Sequence, residues 1–217
     1  MGKLKNIIFD LGGVIMTIDQ PSAVERFKEI GLQDAEQRLD PYTQSGIFGD
    51  LEEGKISADE FIAELSSLVG RKLSFEECKY AWRGYTKEVP LRNIKALDKL
   101  REEGYKLILL SNTNPFMMDW GMSKDFSGDG RPISSFFDSI YMSYKLKMMK
   151  PDRRIFKKII DEEGIEPRET LFVDDGPRNV AVARELGFVT FCPENGVDWT
   201  EELFDKVLPN DNGNNAE

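Results

Sequence analysis

Four places in the chain set a charged or hydroxyl group at the end of an apolar run. Asn6-Ile7-Ile8-Phe9 leads into Asp10 and the Gly12-Gly13 pair, and Tyr105 through Leu110 leads into Ser111. Thr170-Leu171-Phe172-Val173 stops at Asp174-Asp175, and Lys150-Pro151 follows the short run Ile140-Tyr141-Met142. Apolar runs of this length bounded by turn residues read as buried parallel strands, and ligands bind just outside the carboxyl ends of such strands. Asp10, Ser111, Lys150, Asp174 and Asp175 would then share one edge. Carboxylates gathered there at low dielectric repel one another strongly unless a cation sits among them. A hard oxygen set with few ligands suits Mg²⁺, which keeps positions open for water and phosphate. The Ser111 hydroxyl and Lys150 ammonium would neutralise the remaining phosphate charge, so the pattern describes a phosphoryl site.

Each group also has a plain structural reading. Asp10 can cap a turn, Ser111-Asn112-Thr113 can be a turn, and Lys150 can be a charge ahead of a helix. One acid of Asp174-Asp175 can cap the helix that follows, but the second then has no obvious partner.

Charge and composition narrow the classes. Against 39 Asp and Glu stand 29 Lys and Arg, a net charge of −10 that speaks against a sequence-independent grip on nucleic acid. There is no histidine, so acid and base chemistry must come from carboxylates, Lys, Ser, Thr or Cys. Cys78 and Cys192 have neither metal-ligand nor disulfide-framework spacing, no signal peptide precedes them, and no apolar run approaches membrane-spanning length. The expectation is a cytoplasmic protein, monomer or homodimer, whose partner is a small molecule rather than a membrane or nucleic acid.

These groups need elements to position them. The 217 residues suit one α/β domain with a smaller inserted module. Spacing predicts helices from Pro21 to Ile30, from the Ser57/Glu60 capping box to Leu68, and from the Ser74/Glu77 capping box onward. No continuous strand is expected there. Further helices are predicted over Pro90–Glu103, Asp152–Glu163 and Pro177–Gly187, alternating with the apolar runs, while 112–137 reads as a long connection. The alternation predicts an α/β fold, a doubly wound parallel sheet of Rossmann-like type with right-handed crossovers and an inserted helical cap. The expected boundaries are 1–16 and 89–208 for the core, 17–88 for the cap above the strand ends, and a disordered tail at 209–217.

Taken together, Phe9-Asp10-Leu11-Gly12-Gly13-Val14, Ser111-Asn112, Lys150-Pro151 and Phe172-Val173-Asp174-Asp175 resemble, in order, the four motifs of the haloacid dehalogenase-like hydrolase superfamily. The resemblance spans nearly the whole chain, including the cap inserted after the first motif. It implies a phosphatase in which Asp10 is the nucleophile and forms an aspartyl-phosphate. It also implies that Ser111 with Asn112 and Lys150 bind phosphate, and that Asp10, the Gly12 carbonyl, Asp174 and Asp175 hold Mg²⁺. Which acid of the pair coordinates directly differs among family members.

One departure stands out. Phosphatases of the family usually carry a second Asp two residues after the nucleophile as general acid and base, and Gly12 occupies that position. A branch acting on glucose 1-phosphate and similar small phosphates resembles this chain in having Gly there. A good leaving group, a water or a cap carboxylate would then supply the proton, and Asp50, Glu52 and Glu53 lie in a stretch, Gly49 to Gly54, that reads as a cap loop facing the site. The function expected is hydrolysis of a small phosphorylated metabolite, with sugar phosphates among the candidates. Two alternatives come from the same residues: a non-catalytic binding or regulatory protein, because of Gly12, and a metal-independent 2-haloacid dehalogenase, with Arg26 or Arg38 as the cap-side cation. A phosphorelay receiver domain fits poorly, because its acid pair follows its first strand and it has no cap.

Overall fold

The computed structural model of the chain describes residues 3–40 and 44–208. The tail expected at 209–217 lies outside the described residues. β1 (Asn6–Phe9) is buried at every position, as a strand covered on both faces must be. The other strands of the main sheet are β2 (Lys106–Ser111), β3 (Ser139–Met142), β4 (Thr170–Val173) and β5 (Val189–Phe191). All pair in parallel, in the spatial order β3-β2-β1-β4-β5.

Alternate side chains of the sheet enter two separate cores. Ile7 and Phe9 join Leu107, Leu109, Leu171 and Val173 on one face, while Ile8 joins Ile108, Leu110 and Phe172 on the other. The second face is covered by Ile155, Phe156 and Ile159 of α7 (Arg153–Glu163) and by Val180 and Ala183 of α8 (Pro177–Glu185). The first is covered by Ile94, Leu97 and Leu100 of α5 (Leu91–Glu102), together with Trp199. Both faces are therefore apolar, which is why the strands read as continuous runs.

Between β1 and β2 the chain makes α1 (Gln20–Glu29), α2 (Gly46–Glu52), α3 (Ala58–Val69) and α4 (Phe75–Trp82). Both capping boxes form: Ser57 with Glu60 and Ser74 with Glu77. Phe27, Phe48, Phe61 and Trp82 make the helices' own core, with ring centroids 5.4 to 6.0 Å apart. Phe61 also meets Phe116 of α6 (Pro115–Gly121) at 5.6 Å, which ties the inserted helices to the sheet domain.

Three details differ from the sequence reading. Thr17–Ile18 and Thr86–Glu88 pair as an antiparallel ribbon at the base of the insert, too short for alternation to reveal. Residues 46–52 are helical although two of them are glycine, because burying Phe48 and Leu51 outweighs poor propensity. The connection after β2 contains α6, capped by Asn114 with Pro115 in its first turn.

The packing around Phe48 is expected to dominate the stability of the insert. Replacing it by Ala should lower the unfolding free energy by about 3–5 kcal/mol, read from urea unfolding. A loss below about 1 kcal/mol would contradict a close-packed aromatic core there.

Candidate active site

Sheet register brings the chemistry together. Phe9 lies beside Leu109 and Val173, so Asp10, Leu110 and Asp174 reach the same level and Ser111 follows one residue later. Asp10 N–H donates to Val173 O at 2.8 Å, which holds the residue at the end of β4's neighbour strand. Lys150 enters from the loop before α7, almost completely buried. Its Nζ donates to Asp10 Oδ1 at 2.8 Å, Asp174 Oδ2 at 2.7 Å and Leu110 O at 2.9 Å. One ammonium thus ties the ends of three strands. Burial works against its charge, but the two carboxylates outweigh this and hold the Lys150 pKa above its ordinary value.

The two acids beside it differ in what they can still bind. Asp174 Oδ1 accepts from Gly176 N–H at 2.8 Å and from Asn179 Nδ2 at 2.9 Å, while Oδ2 accepts from Lys150. Asp175 Oδ2 is buried with no hydrogen-bond partner. Gly13 makes room for it. A Cβ at Gly13 would lie 1.9 Å from that oxygen, and the backbone there has φ +73°, a conformation that favours glycine. Oxygens of Asp10, Asp174 and Asp175 lie within 4.8 Å of one another. An all-oxygen cluster with an unpartnered buried carboxylate oxygen fits a divalent cation such as Mg²⁺.

Asp10, Asn112, Lys150, Asp175 and Asn179 line an open groove of about 500 Å³. Through Gly12, Ile18 and Asn112 it adjoins an inner cavity of about 80 Å³ beneath the inserted helices, where Ser111, Glu52, Trp82, Tyr85 and Asn114 also contribute. Asn112 spends its side chain on the backbone of Lys150, donating to Lys150 O at 2.9 Å and accepting from Lys150 N–H at 2.8 Å. It therefore positions the lysine from a place on the wall of both the groove and the cavity.

Of the three carboxylates expected on the cap, one reaches the cavity. Glu52 is buried there, whereas Asp50 and Glu53 lie at 3.5 and 2.7 Å from Lys55 Nζ. The helical repeat explains the split, since residues three apart share a face and Glu52 falls between them. Arg26 is bound to Tyr80 O at 3.2 Å and Arg38 to Asp34 at 2.7 Å, and neither lines the groove or the cavity. The cap-side cation that a haloacid dehalogenase reading needs is not supplied by them. Sequence reasoning missed Asn179, Trp82 and Asn114. Asn179, a polar residue in the first turn after an acid pair, carried a usable signal, whereas the other two read as ordinary core and cap residues.

The family model of haloacid dehalogenase-like hydrolases matches residues 4–187, and the chain belongs to that family. It is 52% identical over 200 residues to the D-ribitol-5-phosphate phosphatase of Bacteroides thetaiotaomicron, covering 92% of this chain and 97% of that one. Among solved structures, a predicted HAD-like family hydrolase of Porphyromonas gingivalis matches with TM-score 0.90 and 42% identity over 96% of this chain and 100% of that one. A HAD family enzyme of B. thetaiotaomicron in complex with magnesium and inorganic phosphate matches with TM-score 0.85 and 36% identity, over 93% of this chain and 100% of that one.

Three acids here hold their protons unusually well. Burial, with Asp174 and Asp175 adding to it and Lys150 opposing, pushes Asp10 up to about 8. Burial raises Glu52 to about 7, drawn down somewhat by the Asn114 amide, and burial with the neighbouring Asp174 charge raises Asp175 to about 6. A group whose pKa is higher folded than unfolded stabilises the fold fully at pH below its unfolded value. That contribution is lost as pH rises through the folded value. Without divalent cation, the thermal midpoint should therefore fall as pH rises through about 6, 7 and 8. Saturating Mg²⁺ at the upper end of that window should restore it, as a ligand bound only by the folded state does. A midpoint that ignores both pH and Mg²⁺ there would contradict the cluster as drawn.

Proposed function

We propose that the chain is a Mg²⁺-dependent phosphatase of a small phosphorylated polyol or sugar, working through an aspartyl-phosphate on Asp10. The observation that carries this reading is the Lys150 ammonium spanning Asp10 and Asp174 beside Asp175, whose Oδ2 has no partner. The name of the 52% identical relative, a D-ribitol-5-phosphate phosphatase, supports the substrate class, and the magnesium and phosphate of the related B. thetaiotaomicron structure support the ion. In this reading Asp10, the Gly12 carbonyl and Asp175 hold Mg²⁺ directly, and Asp174, whose oxygens already accept from Lys150, Asn179 and Gly176, orients the lysine. When bound, the cation compensates charge between the carboxylates and the phosphate dianion.

The rest follows from the chain's own groups. Lys150 and Leu11 N–H both donate to Asp10 Oδ1, which leaves Oδ2 to form the bond to phosphorus. The Ser111 hydroxyl and the Lys150 ammonium draw phosphate charge toward the strand ends. As the bond from phosphorus to the ester oxygen breaks, that oxygen needs a proton. Gly12 cannot give one, and Glu52, with its pKa raised to about 7 and its place on the wall of the cavity that Gly12 also lines, can. A water then attacks the acyl phosphate, Glu52 takes its proton, and inorganic phosphate leaves with Asp10 regenerated. The inserted helices act as a cap that shields this step from solvent. We also place the protein in a reducing cytoplasm, since Cys78 and Cys192 are both free.

Phosphate release from D-ribitol 5-phosphate with and without Mg²⁺ tests the reading, and Asp10→Asn is expected to abolish it. Glu52→Gln should slow this ester by about 10²- to 10⁴-fold, and p-nitrophenyl phosphate, whose leaving group needs no proton, far less. A Cβ at Gly12 would meet the flexible Ile18 tip at 2.8 Å, so Gly12→Asp should fold and partly rescue Glu52→Gln. Release that survives Asp10→Asn would overturn the nucleophile. Equal loss on both esters would overturn the proton donor. Silence toward every phosphate ester would favour a binding protein on this fold.

A further inference from the structure

Two donors on the inner cavity make no well-formed hydrogen bond in the fold, although one of them, the Asn114 amide, lies near enough to Glu52 to draw its pKa down. Trp82, the last residue of α4, belongs to the insert, and Asn114, the cap of α6, belongs to the sheet domain. Both line the cavity, Trp82 at 1% exposure and Asn114 at 0%, and Trp82 Nε1 and Asn114 Nδ2 are buried without partners. A buried N–H left unpaired carries its full desolvation penalty, so a native protein that keeps two on one cavity points to something that pairs with them. Apart from Glu52 beside Asn114, their neighbours on this wall do not. Tyr85 and Gln44 on the same wall are already bonded to each other at 3.0 Å and to Asp40 O. Asn114 Oδ1 is occupied by Met117 N–H at 3.1 Å.

The missing partner must bring acceptors, and it must tolerate Glu52 in the same space. A second anionic group would meet that carboxyl at low dielectric, whereas a hydroxyl both accepts from N–H and donates to Glu52 or Ser111. Met16, Ile18 and Met117 supply apolar wall for the carbons between hydroxyls. At about 80 Å³, opening onto the larger groove through Gly12, Ile18 and Asn112, the space admits a short chain of carbinol groups. We infer that Trp82 Nε1 and Asn114 Nδ2 form a hydroxyl-recognition subsite, split between insert and sheet domain, that selects phosphate esters of a short polyol chain. The inference rests on the reading that Asp10 faces a phosphate ester.

Two conservative variants isolate the donors. Trp82→Phe deletes the indole N–H and keeps a ring against Phe27, Phe48 and Phe61. Asn114→Ser deletes the amide donor and keeps an oxygen that caps α6. Binding is read by calorimetry with Mg²⁺ in an Asp10→Asn background, comparing D-ribitol 5-phosphate with n-pentyl phosphate, which has the same chain length and no hydroxyls. The parent should favour the ribitol ester by roughly a hundredfold, and each variant should cut that preference roughly tenfold while melting as a folded protein. A parent without preference, or both variants retaining it, would overturn the subsite. Because no turnover is needed, a protein that cleaves no phosphate ester would sink the proposed reaction and leave this measurement decisive on its own.

Discussion

A buried ammonium between two carboxylates is the constraint to which the rest of the site answers. Lys150 Nζ reaches Asp10, Asp174 and the Leu110 carbonyl, the ends of three adjacent strands, from a loop that Asn112 pins by its backbone. Charges taken out of water are tolerated only when paired and hydrogen-bonded, and removing one partner leaves the others uncompensated. The arrangement is therefore rigid. It also carries a surplus of negative charge, since one ammonium faces Asp10, Asp174 and the nearby Asp175; burial, with this surplus adding to it, raises the proton affinity of Asp10 and Asp175, and the surplus suits the cluster to a cation.

The acid pair after β4 shows how two identical side chains acquire different tasks. Asp174 faces Lys150, Asn179 and the Gly176 N–H at the start of α8, which absorb its lone pairs. Asp175 turns over Gly13, where the absence of a Cβ leaves room for its carboxylate and no donor meets Oδ2. One acid is fixed as a strut and the other is left with binding capacity. The difference lies in neighbours, not in chemistry.

The inserted helices complete the site from above. Their aromatic core keeps Trp82 and Glu52 in place, and the contact of Phe61 with Phe116 registers them against the sheet domain. Glu52 and Trp82 face a cavity whose other wall is Ser111, Thr113 and Asn114. That cavity exists only where insert and core meet, so its polarity belongs to neither part alone.

Strand positions, the acid pair, Ser111 and Lys150 were readable in the sequence, because a strand buried on both faces must be a continuous apolar run and its carboxyl end must be polar. The capping boxes at Ser57 and Ser74 were readable for a similar reason: their physics is local. The helical state of 46–52 was not, since tertiary burial of Phe48 and Leu51 overrides the local preference of two glycines. Nor could the sequence rank Asp50, Glu52 and Glu53, because one turn of helix separates a cavity-facing acid from two that pair with Lys55. The sequence by itself thus determined which groups gather at the strand ends, as local patterning dictates. Only the tertiary structure decided which of them remain unpartnered, because that depends on contacts between segments far apart in the chain, such as Trp82 beside Asn114 and Gly13 beneath Asp175.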